Sequence, residues 1–272
     1  MWTVADSTNH TLEERKTMER YQRQLIIDEI GPSGQEKLNN AKVLIIGAGG
    51  LGSPAAYYLA GAGVGTIGII DADVISESNL NRQILHAAKD IGRSKVESAR
   101  EAILRLNDQI DVKTYPYLFT EENGQELVRE YDFILDCVDT FESKFLINDV
   151  CVTEKKPFCH AGVIRFQGQV LTYVPGQGPC YRCIFEDVPE QGTAMEPSKV
   201  GIIGAIAGVI GSVQALEAIK YVLGIGELLT GRMYILDGLA MQTRIAKFPK
   251  ATPGCICSRT DPESEAYCEN KQ

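Results

Sequence analysis

The stretch from Lys42 to Asp73 constrains this chain more than any other. An apolar run, Val43-Leu44-Ile45-Ile46, enters a glycine turn (Gly47, Gly49, Gly50, Gly52); a small-residue segment with helical spacing follows, then a second apolar run that ends at Asp71. Strand, glycine turn, helix and strand in this order form the first half of a nucleotide-binding α/β fold. Gly47 and Gly49 allow a tight turn and bring backbone N–H groups close to a phosphate. Gly52 lets helix and strand pack closely, and the helix N-terminus favours negative charge. Asp71 stands where a carboxylate meets ribose hydroxyls. The pattern alone serves ATP as well as a dinucleotide, and a glycine-rich packing turn with no ligand has the same form.

The remaining chain keeps alternating. Periodicity predicts helices over 12–30 (containing Arg20-Tyr21-Gln22-Arg23-Gln24), 34–38, 53–60, 95–106, 122–130 and 141–153. Strands are expected over 66–70, 112–115, 133–135 and 158–161. Strands alternating with helices dictate a Rossmann-like, mostly parallel α/β sheet with helices on both faces. From Ile164 to Tyr173 short alternating strands follow without helices, which predicts an antiparallel extension, and two late strands are expected over 233–236 and 243–248. The expected organisation is one domain over 1–272, with a nucleotide-binding part over about 20–160 and an extension over 161–257 that handles the substrate.

The polar loop 71–95 gathers carboxylates (Asp71, Asp73) and cations (Arg82, Arg93, Lys95) beside the glycine turn. That is the makeup of a triphosphate and Mg²⁺ site, since cations offset phosphate charge and a carboxylate holds the metal. Asp136 and Asp139 follow the fourth predicted strand, at the carboxyl edge where such sheets bind ligands. Asp139 is the better metal candidate, and Asp136 suits a cap or the edge of the core.

Composition excludes several classes. A net charge of −9 argues against a general nucleic-acid binder, because phosphate neutralisation needs a basic face. The apolar run 200–213 has fourteen residues before Gln214, Glu217 and Lys220 interrupt it, too short to span a bilayer. Its Gly201, Gly204, Gly208 and Gly211 fall on roughly one helical face, suited to close helix packing or a dimer contact. The first residues lack the basic flank and apolar core of a leader, so a cytoplasmic location is expected. Eight cysteines, two as Cys180-x-x-Cys183, fit metal binding in a reducing compartment, with Cys137, Cys151 and Cys159 in the core.

Taken in order, GAGGLGS (47–53), DAD (71–73), SNLNRQ (78–83), KVESAR (95–100), LDCVD (135–139), PCYRC (179–183) and GVIGSVQALEAIK (208–220) closely resemble the bacterial adenylyltransferases that activate ubiquitin-like sulfur carriers, the ThiF/MoeB/HesA group. The likeness runs from about Arg20 to Cys257. It implies ATP on the glycine turn with Asp71 on the ribose. Arg82 and Lys95 would hold phosphates, with Asn79 and Gln83 of the same motif at the nucleotide, and Asp139 would hold Mg²⁺. Arg23 would reach the ATP of the other subunit of a homodimer. The implied substrate is the C-terminal carboxylate of a small β-grasp protein ending in Gly-Gly, adenylated for molybdopterin- or thiamine-type sulfur transfer. A structural zinc would sit on Cys180, Cys183 and a distal pair.

Two departures from the family pattern stand out. The distal pair is Cys255-Ile-Cys257, one residue short of Cys-x-x-Cys, which leaves Cys268 as a substitute ligand. The segment 193–200, TAMEPSKV, carries no cysteine where relatives that bind their carrier covalently have one. Two other classes compete. An NAD-dependent oxidoreductase would use the same turn and Asp71 but gives no reason for Arg82, Lys95 and Asp139 together. A nucleotide-binding module without chemistry would keep ATP and lose pyrophosphate exchange.

Overall fold

The computed structural model describes residues 19–185, 200–248 and 250–259. One eight-stranded sheet runs through them in the order β3-β2-β1-β4-β5-β6-β7-β8. Strands β1 (Lys42–Ile46), β2 (Thr66–Ile70), β3 (Asp111–Tyr115), β4 (Phe133–Asp136) and β5 (Phe158–Ile164) pair in parallel. Strands β6 (Gln167–Tyr173), β7 (Arg232–Asp237) and β8 (Gln242–Lys247) continue the sheet antiparallel. The predicted Rossmann-like sheet and its extension are therefore both present, with strand ends within a few residues of those read from the sequence. Strand order reverses between β1 and β4, and such a switch point opens a crevice at the carboxyl edge.

The helices, in chain order, are α1 (Gln22–Leu25), α2 (Gly31–Asn40), α3 (Gly52–Ala62), α4 (Lys95–Leu106), α5 (Glu121–Arg129), α6 (Phe141–Thr153), α7 (Tyr181–Phe185), α8 (Gly204–Leu223) and α9 (Ile256–Arg259). Residues of β1 alternate between two cores, as the period of a strand requires. Val43 and Ile45 join Leu59 of α3, Ala99 of α4 and Ile210 of α8 on one face. Leu44 and Ile46 join Leu127 of α5, Phe145 of α6 and the cysteine-bearing segments on the other.

Two expectations need correction. The single helix over 12–30 does not form in its described part: α1 is four residues long and a turn separates it from α2. Pro32 occupies the first turn of α2, where its missing N–H is harmless but a helix arriving from the N-terminal side cannot continue. Tyr21 is also pulled inward, accepting a hydrogen bond from Asn107 Nδ2 at 2.8 Å. Secondly, the apolar run belongs to a helix of 20 residues, long and apolar enough to cross a membrane by length and composition, with half of its most apolar window buried. It packs on α3, β5 and β6 as a core helix. The polar residues that interrupt the run are satisfied inside: Gln214 Nε2 donates to the carbonyls of Asp136 (2.8 Å) and Cys159 (3.0 Å), and Glu217 accepts from Thr172 Oγ1 at 2.6 Å. Of the glycines on that face, Gly204 and Gly211 abut the backbone of Asn81 and Leu51, Gly208 has open space beside it, and Gly201 precedes the helix.

Candidate active site

The glycine turn is built as its sequence requires. Gly47 has φ +102°, and a Cβ there would stand 2.8 Å from the carbonyl oxygen of Cys137. Gly52 opens α3 against the carbonyl of Gly47, so helix and strand approach as the small residue allows. Asp71 ties the turn to β2: its Oδ2 accepts the N–H of Ala48 and its Oδ1 that of Asp73, both at 2.8 Å. Beneath it, His86 Nε2 lies 3.1 Å from the carbonyl oxygen of Ala48. A carbonyl only accepts, so the proton is on Nε2. Burial lowers the His86 pKa, which favours this neutral ring.

The turn opens into a cavity of about 570 Å³ along the carboxyl edge of the sheet. Its lining includes Gly49, Gly50, Asp71, Arg82, Gln83, Lys95 and Asp139 from the nucleotide half, and Gly162, Gln169 and Arg244 from β5, β6 and β8. Lys95 Nζ is 2.7 Å from Asp73 Oδ2 and 3.9 Å from Asp71 Oδ2, with its side chain only 8% exposed. Arg82 Nη1 donates to the Ser78 carbonyl (2.9 Å) and Asn81 Oδ1 (3.0 Å), and no carboxylate pairs with it among the described residues. Gln83 Oε1 is buried without a hydrogen-bond partner. Asp139 is exposed in the loop between β4 and α6.

Three sequence candidates lie elsewhere. Asn79 Oδ1 accepts the N–H of Ser76 at 3.1 Å, capping a short 3₁₀ turn away from the cavity wall. Arg93 is committed to Asp90 (2.7 Å) and Glu101, so it is no free phosphate cation. Arg23 is exposed beside Tyr21, which packs on Gly63 at the C-terminal end of α3. The glycine turn is at the other end of that helix, roughly 16 Å away at 1.5 Å per residue.

Residues 21–257 match the ThiF family over their whole length. The chain belongs to the ThiF family. It is 44% identical over 261 residues to an adenylyltransferase and sulfurtransferase MOCS3 of Drosophila virilis, covering 93% of this chain and 58% of that protein. A MOCS3 of Culex quinquefasciatus is 42% identical over 258 residues, covering 93% and 59%. The chain thus spans somewhat more than half the length of these curated relatives. Among solved structures, E. coli MccB with MccA-N7isoASN superposes with a TM-score of 0.77 at 26% identity, covering 92% of this chain and 75% of that one. MccB with ATP gives 0.74 at 23% identity, covering 92% and 82%, which shows the shared fold.

Within this ThiF-family fold the four cysteines converge. The ligand sulfurs of Cys180, Cys183, Cys255 and Cys257 all lie within 4.8 Å of one another. Individual Sγ–Sγ distances are 3.6 Å for Cys180–Cys255, 4.0 Å for Cys180–Cys183 and 3.4 Å for Cys183–Cys257. A tetrahedron of Zn–S bonds spaces its sulfurs about 3.8 Å apart, so the set fits a closed four-thiolate site. Hydrogen bonds from the Cys180 and Cys257 thiols, joined by the Thr252 N–H at 3.2 Å, hold the Cys183 thiol well below the usual range. The short Cys-x-Cys spacing reaches the cluster because α9 begins between its two members. Cys268 lies outside the described residues.

Sequence reading placed Asp136 at a cap or the edge of the core but missed its buried cluster with Lys144 and His160, both of which line the cavity. Asp136, 1% exposed, meets Lys144 Nζ at 3.4 Å and His160 Nδ1 at 2.7 Å. Burial opposes its ionisation, but Lys144 and then His160 outweigh that and lower its pKa. Burial, seconded by Lys144, lowers the His160 pKa to about 4 despite Asp136. Lys144 reads as an ordinary helix charge and His160 as a strand residue, so no spacing marked them.

Proposed function

We propose that this chain adenylates the C-terminal carboxylate of a small ubiquitin-like sulfur-carrier protein of β-grasp fold ending in Gly-Gly, using ATP and Mg²⁺, for molybdopterin- or thiamine-type sulfur transfer. The observation that carries this reading is the cavity itself. It joins a glycine turn, a ribose-type carboxylate and two cations to a groove over the antiparallel extension, where a second substrate has room to lie. Gly47, Gly49, Gly50 and Asp71 take the nucleotide, Arg82 and Lys95 its phosphates, and Asp139 the metal, with Gln83 supplying a free acceptor. Asp73 is 69% exposed, so it can release Lys95 to a phosphate. The carrier's carboxylate oxygen attacks the α-phosphorus, the bond to the bridging oxygen breaks, and pyrophosphate leaves with that electron pair. The carboxylate is already ionised at neutral pH, so the step needs alignment and charge neutralisation rather than a base. The test is ATP–pyrophosphate exchange dependent on Mg²⁺ and on a carrier with a free C-terminus. Binding of NAD without ATP would overturn the reading in favour of an oxidoreductase, and ATP binding without exchange in favour of a non-catalytic module.

The same reading makes the enzyme a homodimer in which Arg23 reaches the partner's ATP. Its exposure far from its own cavity, beside the exposed Ile26 and Ile27, supports this. Arg23→Ala and Lys95→Ala proteins are each expected to lose nearly all exchange alone. Mixed and allowed to exchange subunits, they should recover about a quarter of wild-type exchange, because half the symmetric dimers carry one intact site. No recovery despite proven exchange would remove the trans role.

The enzyme is also expected to stop at the acyl-adenylate. The segment 193–200 holds no cysteine and, apart from Val200, lies outside the described residues. Burial pushes the thiols of Cys137, Cys151 and Cys159 upward, which leaves them poor nucleophiles. Mass spectrometry of enzyme, ATP and carrier under non-reducing conditions should show no adduct. A thiol-labile adduct would refute this, and its loss in Cys268→Ala would identify the nucleophile.

A further inference from the structure

His160 lines the cavity from β5, the strand at which the parallel part of the sheet passes into the antiparallel extension. On β5 it pairs in register with Asp136 of β4. Two residues on, Gly162 begins a row that crosses the extension in register through Gln169, Ile235 and Arg244. Side chains two apart on a strand share a face, so His160 stands at the head of this row. Its Nδ1 is 2.7 Å from Asp136 Oδ2, and an ionised carboxylate only accepts, so Nδ1 carries the proton and Nε2 presents a lone pair. Lys144 Nζ, 3.4 Å from both oxygens of Asp136 and donating to the Ala161 carbonyl at 2.7 Å, keeps that carboxylate ionised and in place. Tyr181 and Phe185 pack on the ring, with centroids 4.5 and 6.0 Å away. Nε2 itself has no hydrogen-bond partner, although only 1% of the side chain is exposed. A buried acceptor left unpaired is costly, and this one belongs to a cavity wall, where a bound molecule can supply the missing donor.

The strand order says which molecule. Asp71 and the glycine turn mark the ribose and phosphates at β2 and β1. His160 on β5 is three strands from β2, roughly 14 Å at the usual strand spacing. It therefore faces the second substrate. An extended protein terminus offers backbone N–H groups as donors, and its ionised carboxylate offers no proton for a base to remove. We infer that His160 is a positioning residue that accepts, through Nε2, a backbone N–H from the terminal segment of the acyl substrate, with Asp136 and Lys144 fixing its ring; this rests on the adenylation reading above.

The test uses the full chain with a ubiquitin-like sulfur carrier ending in Gly-Gly, and three semisynthetic versions in which each of the last three backbone amides in turn is replaced by an ester. With wild-type enzyme, one ester should raise the carrier KM by about tenfold, the size of one lost neutral hydrogen bond, and leave the KM for ATP unchanged. His160→Phe, which keeps a ring against Tyr181, should raise the KM for the all-amide carrier by about the same factor. It should also lose the discrimination against that ester, the coupling a double-mutant cycle reads. Wild-type indifference to all three esters overturns the inference whether or not the variant folds, as does full discrimination in His160→Phe. In both cases the adenylation reading stands, because exchange itself proceeds. Absence of carrier-dependent exchange in the wild type removes that reading and the inference together.

Discussion

Replacing Arg82, Lys95 or Asp139 by Ala is expected to lower carrier-dependent pyrophosphate exchange on the order of 10²-fold or more in each case, as losing one preorganised charge contact does. The three are not equivalent. Arg82 is held by the Ser78 carbonyl and the Asn81 side chain, neutral acceptors that orient it without cancelling its charge. Its removal deletes a fixed positive charge from the cavity. Lys95 is nearly buried and parked on Asp73, so its deletion also leaves two carboxylates facing the phosphates. It should be the most damaging of the three. Asp139 is exposed and is proposed to act through Mg²⁺, so its loss should appear largely as a raised Mg²⁺ requirement. All three side chains sit at the cavity wall, outside the two apolar cores, and the variants should unfold within a few degrees of wild type. Near-wild-type exchange in all three would refute the site assignment.

The sheet was legible because its signals are local. An apolar run, a glycine turn and a helix encode the nucleotide half residue by residue, and the helix Phe141–Thr153 has the bounds that periodicity predicts, with the Thr140 side chain accepting the Ser143 N–H at its start. What escaped reading depends on distance in the fold. Pro32 shows that a helix must break near it, but only the docking of Tyr21 onto α3 explains why the preceding segment turns so early. Gln214 and Glu217 looked like interruptions of an apolar run. In the core they bond carbonyls and hydroxyls contributed by other strands, which no periodicity reveals. The same holds for Asp136, Lys144 and His160, drawn from β4, α6 and β5: each is ordinary in its own segment, and only the sheet brings them to hydrogen-bond distance. Arg93 failed for the opposite reason. Sequence proximity to the glycine turn suggested a phosphate contact, whereas Asp90 and Glu101 are nearer partners.

Removal of the proposed zinc should act on folding before chemistry. The cysteine cluster joins the 250–259 segment to α7, and α7 is in turn fixed to α6: the Tyr181 N–H donates to Asn148 Oδ1 at 2.9 Å, and Arg182 pairs with Asp149 at 2.6 Å while lying over the ring of Phe145. Without metal, Cys180 and Cys257, both buried, lose their bonding to it, and the last described helix is left with its packing on α6 and the core. Structural zinc supplies on the order of 10 kcal/mol to small zinc-dependent folds. Loss of even a third of that, at roughly 2–4 °C per kcal/mol for a chain of this size, lowers Tm by about 10 °C. Cys180→Ser, or exhaustive chelation of the wild type, is therefore expected to bring that shift together with loss of one zinc per subunit. The fraction still folded at low temperature should exchange pyrophosphate at close to the wild-type rate, because no cysteine of the cluster lines the cavity. A four-thiolate site has no open position for substrate, so a purely kinetic defect without a change in Tm is the result that would count against a structural role. Purified protein without zinc, or full zinc retained in Cys180→Ser, would dismiss the metal altogether. Cys257→Ser separates the remaining alternative: if it keeps zinc and stability while Cys268→Ser loses both, the fourth ligand is Cys268, and the 3.4 Å approach of Cys257 to Cys183 belongs to packing alone.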